Sequence, residues 1–239
     1  MRTHRFYTPI DLKENISVEL PADATHHCTQ VLRYKIGDHL TVFNGDGFNY
    51  SATIDNIEKK HCQIKISTRT NPENESPLKI NLVQGIARGD KMDLIIQKAI
   101  ELGVAEITPL FTERCNVKLD GKRLDKKLQH WNKTIISACE QSGRAIIPKL
   151  NLPVSIDKLQ KETIYTIYLE PTSNKKLTEL VIKKPVRLLI GPEGGFSEKD
   201  LVHLDSIDCI GATIGSRILR TETVGLAAVS ILQASFGDL

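Results

Sequence analysis

The chain has 239 residues, with 32 Lys and Arg against 29 Asp and Glu, a formal net charge of +3 and 40% hydrophobic residues, the balance of a globular protein of one or two domains. No apolar run approaches the roughly 20 residues that a bilayer helix needs, and the first residues lack the apolar stretch of a signal peptide, so a membrane protein is excluded and a cytoplasmic location expected. Cys28, Cys62, Cys115, Cys139 and Cys209 are odd in number and form no C-x-x-C pair, so the chain reads as neither a disulfide framework nor a zinc protein, and no metal is expected.

In chain order, residues 23–33 are the one helical stretch of the first part, with Asp23 or Thr25 as its cap. Leu40 and Val42 share one face of a run that ends at Asn44-Gly45-Asp46-Gly47. That turn signal predicts a hairpin with 50–54, and a further strand follows at 62–66. A small β-rich barrel or sheet is expected. The polar stretch 69–77, with two prolines and no aliphatic residue, has the composition of a linker. We place the boundary there, giving domains 1–72 and 73–239. Before Ser76 there are 9 Lys and Arg against 10 Asp and Glu, and from Ser76 onward 23 against 19, so the basic excess belongs to the second part.

Beyond the boundary, apolar strands alternate with helix-period segments at 80–87, 92–102, 104–110, 124–139, 164–169, 186–190, 207–214 and 224–236. That alternation predicts an α/β domain with a mostly parallel sheet. Met92, Ile95, Ile96, Ala99 and Leu102 recur at helical spacing, with Asp90 placed to cap their helix and Gly103 to stop it. Leu124, Leu128, Trp131, Ile135 and Ala138 repeat the pattern up to Gly143.

Two strand ends carry the sharpest chemistry. The strand at 186–190 runs into Gly191-Pro192-Glu193-Gly194-Gly195-Phe196 and then a helix capped by Ser197, with Asp200 three residues on. Ligands of α/β sheets bind at such carboxyl ends, and glycines there let a ligand approach the main chain. The loop matches neither nucleotide fingerprint, and a plain strand-to-helix turn accounts for it equally well. The strand at 208–215 ends similarly, in Gly215-Ser216-Arg217-Ile218-Leu219-Arg220-Thr221-Glu222-Thr223. Thr221 is placed to cap the last helix, and Glu222 suits its positive end. Capping does not explain Arg217 and Arg220, cations that call for an anionic partner.

From Arg114 to Lys149 there are nine Lys and Arg against three Asp and Glu, including Lys118, Lys122, Arg123, Lys126 and Lys127. A charge run is usually a solvated helix face, but this one interleaves with Glu140-Gln141-Ser142-Gly143-Arg144, whose groups suit phosphate or base edges, and nucleic-acid contact is the favoured reading. Arg2, Arg5, Phe6 and Tyr7 pair cations with rings as single-stranded RNA binders do, although aromatics near a terminus as often merely pack; Arg33 is equally open.

Taken in order, these segments resemble the RsmE family of ribosomal RNA methyltransferases, of the SPOUT class. The matching stretches are Arg5-Phe6-Tyr7, His27 through Arg33, Gly89-Asp90-Lys91-Met92-Asp93 with Gln97-Lys98 and Glu101-Leu102-Gly103, Glu113-Arg114, the turn at 140–144, and the two strand ends at 190–196 and 215–223. The last two together, at this separation, are highly specific. The resemblance implies an α/β fold: an N-terminal PUA-like β-barrel for RNA and a C-terminal SPOUT domain with a deep trefoil knot, knot and cofactor site spanning about 165–235. It also implies a homodimer that binds S-adenosyl-L-methionine and forms N3-methyluridine, at an expected uridine 1498, in 16S rRNA of the small ribosomal subunit.

On that basis the cofactor residues are expected to be Leu169, Glu170, Leu189, Gly191, Pro192, Glu193, Gly194, Gly195, Ile214, Gly215, Ile218, Leu219, Thr221 and Thr223. Arg220 and Glu222 are the catalytic candidates, and Arg5, Arg33, Arg88, Lys91, Arg114 and Arg144 the RNA contacts. The competing expectations are an RNA-binding factor that kept the fold without the chemistry, and a methyltransferase acting on tRNA.

Overall fold

The computed structural model describes residues 3–117, 119–182 and 185–239, so Arg2 and Lys118 lie outside the described residues. The chain divides into two compact units: the residues up to Glu75 together with Ile136–Ile147, and Ser76–Ile135 together with Pro148–Leu239.

The first unit is built on a five-stranded sheet in which β1 (Arg5–Tyr7), β3 (His39–Phe43), β4 (Asn49–Glu58), β5 (His61–Thr70) and β2 (Ser17–Glu19) lie side by side in that order. Only the β1–β3 pair is parallel, with Phe6 opposite Val42. The expected hairpin is β3–β4. Its turn is fixed by side chains that stand in for backbone partners: Asn44 Oδ1 accepts from Asp46 N–H (3.2 Å) and Asp46 Oδ1 from Phe48 N–H (2.9 Å). Alternate residues Leu40, Val42, Tyr50, Ile54, Ile64 and Ile66 face one core, as the period of two requires.

The helix expected at 23–33 is split into α1 (Ala22–His26) and a wide π turn at His27–Val31. Neither Asp23 nor Thr25 caps it. Pro21 stands at the N-cap with its φ already fixed, and the buried Thr25 hydroxyl donates back to Leu20 C=O (3.0 Å).

The sequence boundary after residue 72 also needs correction, because Ile136–Ile147 packs with the first unit. Arg144 forks onto Glu75 through Nε (2.9 Å) and Nη2 (2.6 Å), Glu140 accepts from Tyr7 N–H (2.9 Å), and Arg144 C=O accepts from Arg5 Nη2 (2.9 Å).

The second unit carries the expected parallel sheet. Its strands are β6 (Ile80–Gly85), β7 (Glu106–Phe111), β8 (Lys149–Leu150), β9 (Val154–Ser155), β10 (Tyr165–Leu169), β11 (Val186–Ile190) and β12 (Ile210–Ala212). They run β12-β10-β11-β6-β7-β8, with β9 also on β7, and every pairing is parallel. Four helices accompany them: α2 (Lys91–Glu101), α3 (Gly121–Ser142), whose last residues belong to the first unit, α4 (Glu198–Ser206) and α5 (Thr221–Phe236).

Val83, Leu110, Tyr168, Leu189, Phe196 and Leu204 close one core layer. The other helices are tied by a buried amide: Gln233 on α5 accepts from Ser76 Oγ (2.6 Å) and donates to Leu102 C=O (2.9 Å) beyond α2. The strand expected at 207–214 is only three residues long, because the chain beyond Ala212 leaves the sheet to form a wall of the site. Among the described residues no helix is long and apolar enough to cross a membrane, and no group of three or more His, Cys, Asp and Glu is placed to hold a metal ion.

Candidate functional site

A cleft of about 550 Å³ opens at the carboxyl ends of β10, β11 and β12. Three backbone segments wall it: 169–171, 190–196 and 212–221. Each follows a buried strand, so the parallel pairing that aligns the strands also aligns the loops.

The middle wall is shaped by close main-chain approach. A Cβ on Gly85, the last residue of β6, would lie 2.4 Å from Pro192 N and 2.7 Å from Gly191 C, so only glycine fits there. Within the loop, Gly195 N–H bonds Pro192 C=O (2.9 Å), and Gly195 rather than Gly194 takes the left-handed conformation, at φ +67°. Gly194 is instead pressed against Arg114, whose Cβ would meet an added Cβ at 3.0 Å, while Arg114 Nη1 donates to Gly194 C=O (3.2 Å). The capping box expected beyond the loop is present: Ser197 Oγ accepts from Asp200 N–H (3.1 Å) and Asp200 Oδ2 accepts from Ser197 N–H (2.9 Å).

Thr221 is not the cap of α5. Arg220 holds the N-cap position in extended conformation and offers no side-chain bond, and Thr221 opens the helix itself. The Thr221 hydroxyl points inward, donating to Gly191 C=O (2.7 Å) and accepting from buried Gln84 Nε2 (2.9 Å). One hydroxyl therefore joins β6, the glycine loop and α5. Gln84 is not among the expected site residues, although the sequence carries a signal for it, one of two amides, with Asn81, inside the apolar run 80–87.

Charge collects at one edge of the cleft. Lys91 Nζ lies 3.2 Å from Glu222 Oε2 and 3.7 Å from Glu193 Oε1, and Glu193 also accepts from Arg88 N–H (3.0 Å). The Glu222 carboxyl is held below its ordinary value, chiefly by its own backbone N–H, against a burial effect of opposite sign, with Lys91 adding to the depression. Burial raises Glu193, but the Arg88 N–H, its own N–H and the Lys91 and Arg88 charges bring it below the usual carboxylate range.

Of the expected cofactor residues, Leu169, Glu170, Gly191, Pro192, Glu193, Gly194, Gly195, Ile214, Gly215, Ile218, Leu219 and Thr221 line the cleft, as do Arg220 and two residues assigned to RNA, Lys91 and Arg114. Leu189 does not. It is wholly buried in the core layer, one residue short of Ile190, where the strand end meets the cleft. Thr223 is exposed on α5 outside the lining, and Glu222 reaches the site only through Lys91. Phe196, Thr213 and Arg217 line the cleft without having been assigned to it.

The RNA candidates separate sharply. Arg33, at φ +57°, and Arg88 are exposed. Arg144 is only 4% exposed and spent on Glu75, so it is not a free RNA contact. Arg5 is partly buried, donating to Asn49 Oδ1 (2.7 Å) and stacking over Phe43 at 4.7 Å, which makes it a structural cation as well.

Comparison with known proteins matches this arrangement. Residues 74–233 match the family model of the RNA methyltransferase domain, and residues 20–67 that of the RNA methyltransferase PUA domain. The chain is 39% identical over 242 residues to the ribosomal RNA small subunit methyltransferase E of Buchnera aphidicola (subspecies Schizaphis graminum), covering 100% of this chain and 98% of that one. Among solved structures, a Legionella pneumophila methyltransferase with bound SAM superposes with a TM-score of 0.94 at 42% identity, and the Neisseria gonorrhoeae ribosomal RNA small subunit methyltransferase E bound to S-adenosyl methionine with 0.92 at 34%, each covering 100% of both chains. A glycine-walled cleft at parallel strand ends, in a chain that these proteins match from end to end, places the chain in the ribosomal RNA small subunit methyltransferase E family of RNA methyltransferases.

Proposed function

We propose that the chain uses S-adenosyl-L-methionine to methylate N3 of a uridine, expected at position 1498, in 16S rRNA of the small ribosomal subunit. The observation that carries this reading is the backbone-walled cleft. The N–H groups of Ile214, Ile218 and Leu219 have no protein hydrogen bond among the described residues, and they sit beside a loop in which three of the residues are glycines. Such a wall suits an adenine edge and a nucleoside, which are read by main-chain donors and acceptors. Leu169, Gly191, Gly195, Ile214, Gly215, Ile218 and Leu219 would hold the cofactor, which supplies an electrophilic methyl group on a sulfonium.

The chain's own contribution is alignment and charge. Arg220 leads out of the cleft toward α5 with an exposed guanidinium, suited to the negative charge that grows on the uracil oxygens as the N3 proton leaves. Glu222, with its depressed pKa, is a weak proton acceptor; we assign it to holding Lys91 in place at the cleft edge. Lys91, Arg114 and Arg217 complete a cationic rim for the RNA backbone.

The same reading includes a deep trefoil knot in residues 165–235, a barrel-like first unit that binds RNA, and a cytoplasmic homodimer. The strand order, with β12 and β11 on opposite sides of β10, supports the knot, and the 87% exposed Ile218 at the cleft supports a covering protomer. The deciding experiment is mass-spectrometric nucleoside mapping of small-subunit rRNA lacking the modification, after incubation with the protein and S-adenosyl-L-methionine. A new N3-methyluridine near the 3′ end is expected. Confirmed cofactor binding without methylation of that RNA would overturn the assignment and turn attention to tRNA.

A further inference from the structure

The second unit has another cleft, of about 490 Å³, at the opposite ends of its strands, where β6, β7 and β11 begin. Nothing in the methyl-transfer reading uses it. Its polar lining is a connected set: Thr108 Oγ1 donates to Asn81 Oδ1 (3.0 Å), and Asn151 Nδ2 donates to both Thr108 Oγ1 (2.9 Å) and Glu106 Oε2 (3.0 Å).

Proton counting makes this set directional. The Thr108 hydroxyl spends its one hydrogen on Asn81, which fixes that amide with its oxygen engaged and its NH2 free. Asn151 spends both amide hydrogens, which leaves its carbonyl oxygen free. Among the described residues neither free group has a protein partner. The lining thus offers one donor and one acceptor unpaired among the described residues, bridged by the hydroxyl of Thr108, a residue only 8% exposed. A donor next to an acceptor is the complement of a nucleobase edge.

The remaining walls agree. Val154, Leu159 and Ile164 supply partly buried apolar surface for a ring face. Arg187, only 11% exposed, is neutralised by Glu162 at 2.6 Å, whereas Lys79 and Lys158 are exposed lining residues with no ion pair among the described residues. Glu106 keeps an anion away from the lining of amides, so a ligand's negative charge belongs with the two lysines.

We infer that this cleft binds a nucleoside monophosphate unit, its base edge on Asn81 and Asn151 and its phosphate beside Lys79 and Lys158. The site stands apart from the methyl-transfer reading and survives that reading's failure.

The test is titration of the isotope-labelled full chain, its first cleft saturated with S-adenosylhomocysteine, with uridine and adenosine monophosphates while amide NMR shifts are followed. Saturable shifts at Asn81, Thr108 and Asn151 are expected. Asn81→Ala should weaken binding roughly fivefold, the loss of one or two hydrogen bonds. Lys79→Ala with Lys158→Ala, on exposed positions that leave folding alone, should weaken the monophosphate about fivefold and leave the unphosphorylated nucleoside unchanged. A single-stranded oligoribonucleotide that displaces the mononucleotide would assign the site to RNA, and failure to displace it would assign a free nucleotide; both support the site. The absence of saturable shifts with either nucleotide, or the same shifts from inorganic phosphate alone, would overturn it.

Discussion

Two arginines of the first unit and two of the second are put to opposite uses. In the first, Arg144 is buried on Glu75 and Arg5 is sandwiched between Asn49, Phe43 and a backbone carbonyl. In the second, Arg217 and Arg220 are exposed at the cleft, and neither side chain has a hydrogen bond or ion pair among the described residues. All four stand in turns or at strand edges rich in polar residues, and in sequence they look alike. What separates them is whether the fold has already supplied an anion: Arg144 meets the Glu75 carboxylate, whereas the cleft arginines meet none among the described residues.

That contrast is broken most directly at its extremes. Arg144→Met should cost about 3 kcal/mol of stability, because it leaves Glu75 largely buried without its cation, and chemical denaturation should report the loss while cofactor affinity of the folded fraction stays unchanged. Arg220→Ala should do the reverse, lowering kcat about 100-fold with a shift in stability under about 0.5 kcal/mol. A melting curve that moves as much as the rate would make Arg220 a structural residue like Arg144.

Smaller effects sharpen the picture. Gly195→Val forces a β-branched residue into a left-handed conformation; a stability loss of about 1–2 kcal/mol and at least tenfold weaker cofactor binding by calorimetry are expected. Reversing the charges of Lys126 and Lys127 on α3 should flatten the salt dependence of RNA binding by about two slope units, and an unchanged slope would return that helix face to plain solvation.

The smallest effect concerns pH. Glu193 and Glu222 have folded-state pKa values below their unfolded ones, so the stability they confer, chiefly through backbone N–H groups and in part through Lys91, is fully present above the ordinary carboxylate range and is lost as pH falls through the depressed folded values. Lys91→Met should diminish that acid-side dependence without altering the neutral-pH fold.

Much of this is legible in the amino-acid sequence. The hairpin turn at 44–47, the Ser197–Asp200 box and the two glycine-rich strand ends are local patterns, in which residues a few positions apart determine the geometry. The failures are long-range. Arg144 finds Glu75 across 69 residues, and no spacing rule announces that pair. Thr221 satisfies every preference of an N-cap, yet its hydroxyl is claimed by Gln84 and Gly191, contacts that arise only when β6 and β11 lie side by side. Leu189 lies off the lining for a simpler reason: membership of the right strand does not say how near a residue stands to the end where the cleft opens.

The hydroxyl of Thr221 also imposes a timetable. The three backbone walls of the cleft come from residues 169 onward, and the bond that joins the last two needs residue 221, whereas the first unit is complete at residue 147. A chain synthesised from its amino end therefore has all of the first unit's segments before it has any of the three backbone walls of the cleft. Each newly made molecule passes through a stage in which that unit's segments are whole and no cofactor can be held. A nascent-chain series released at successive lengths would show cofactor protection arriving in a single late step, once α5 has emerged.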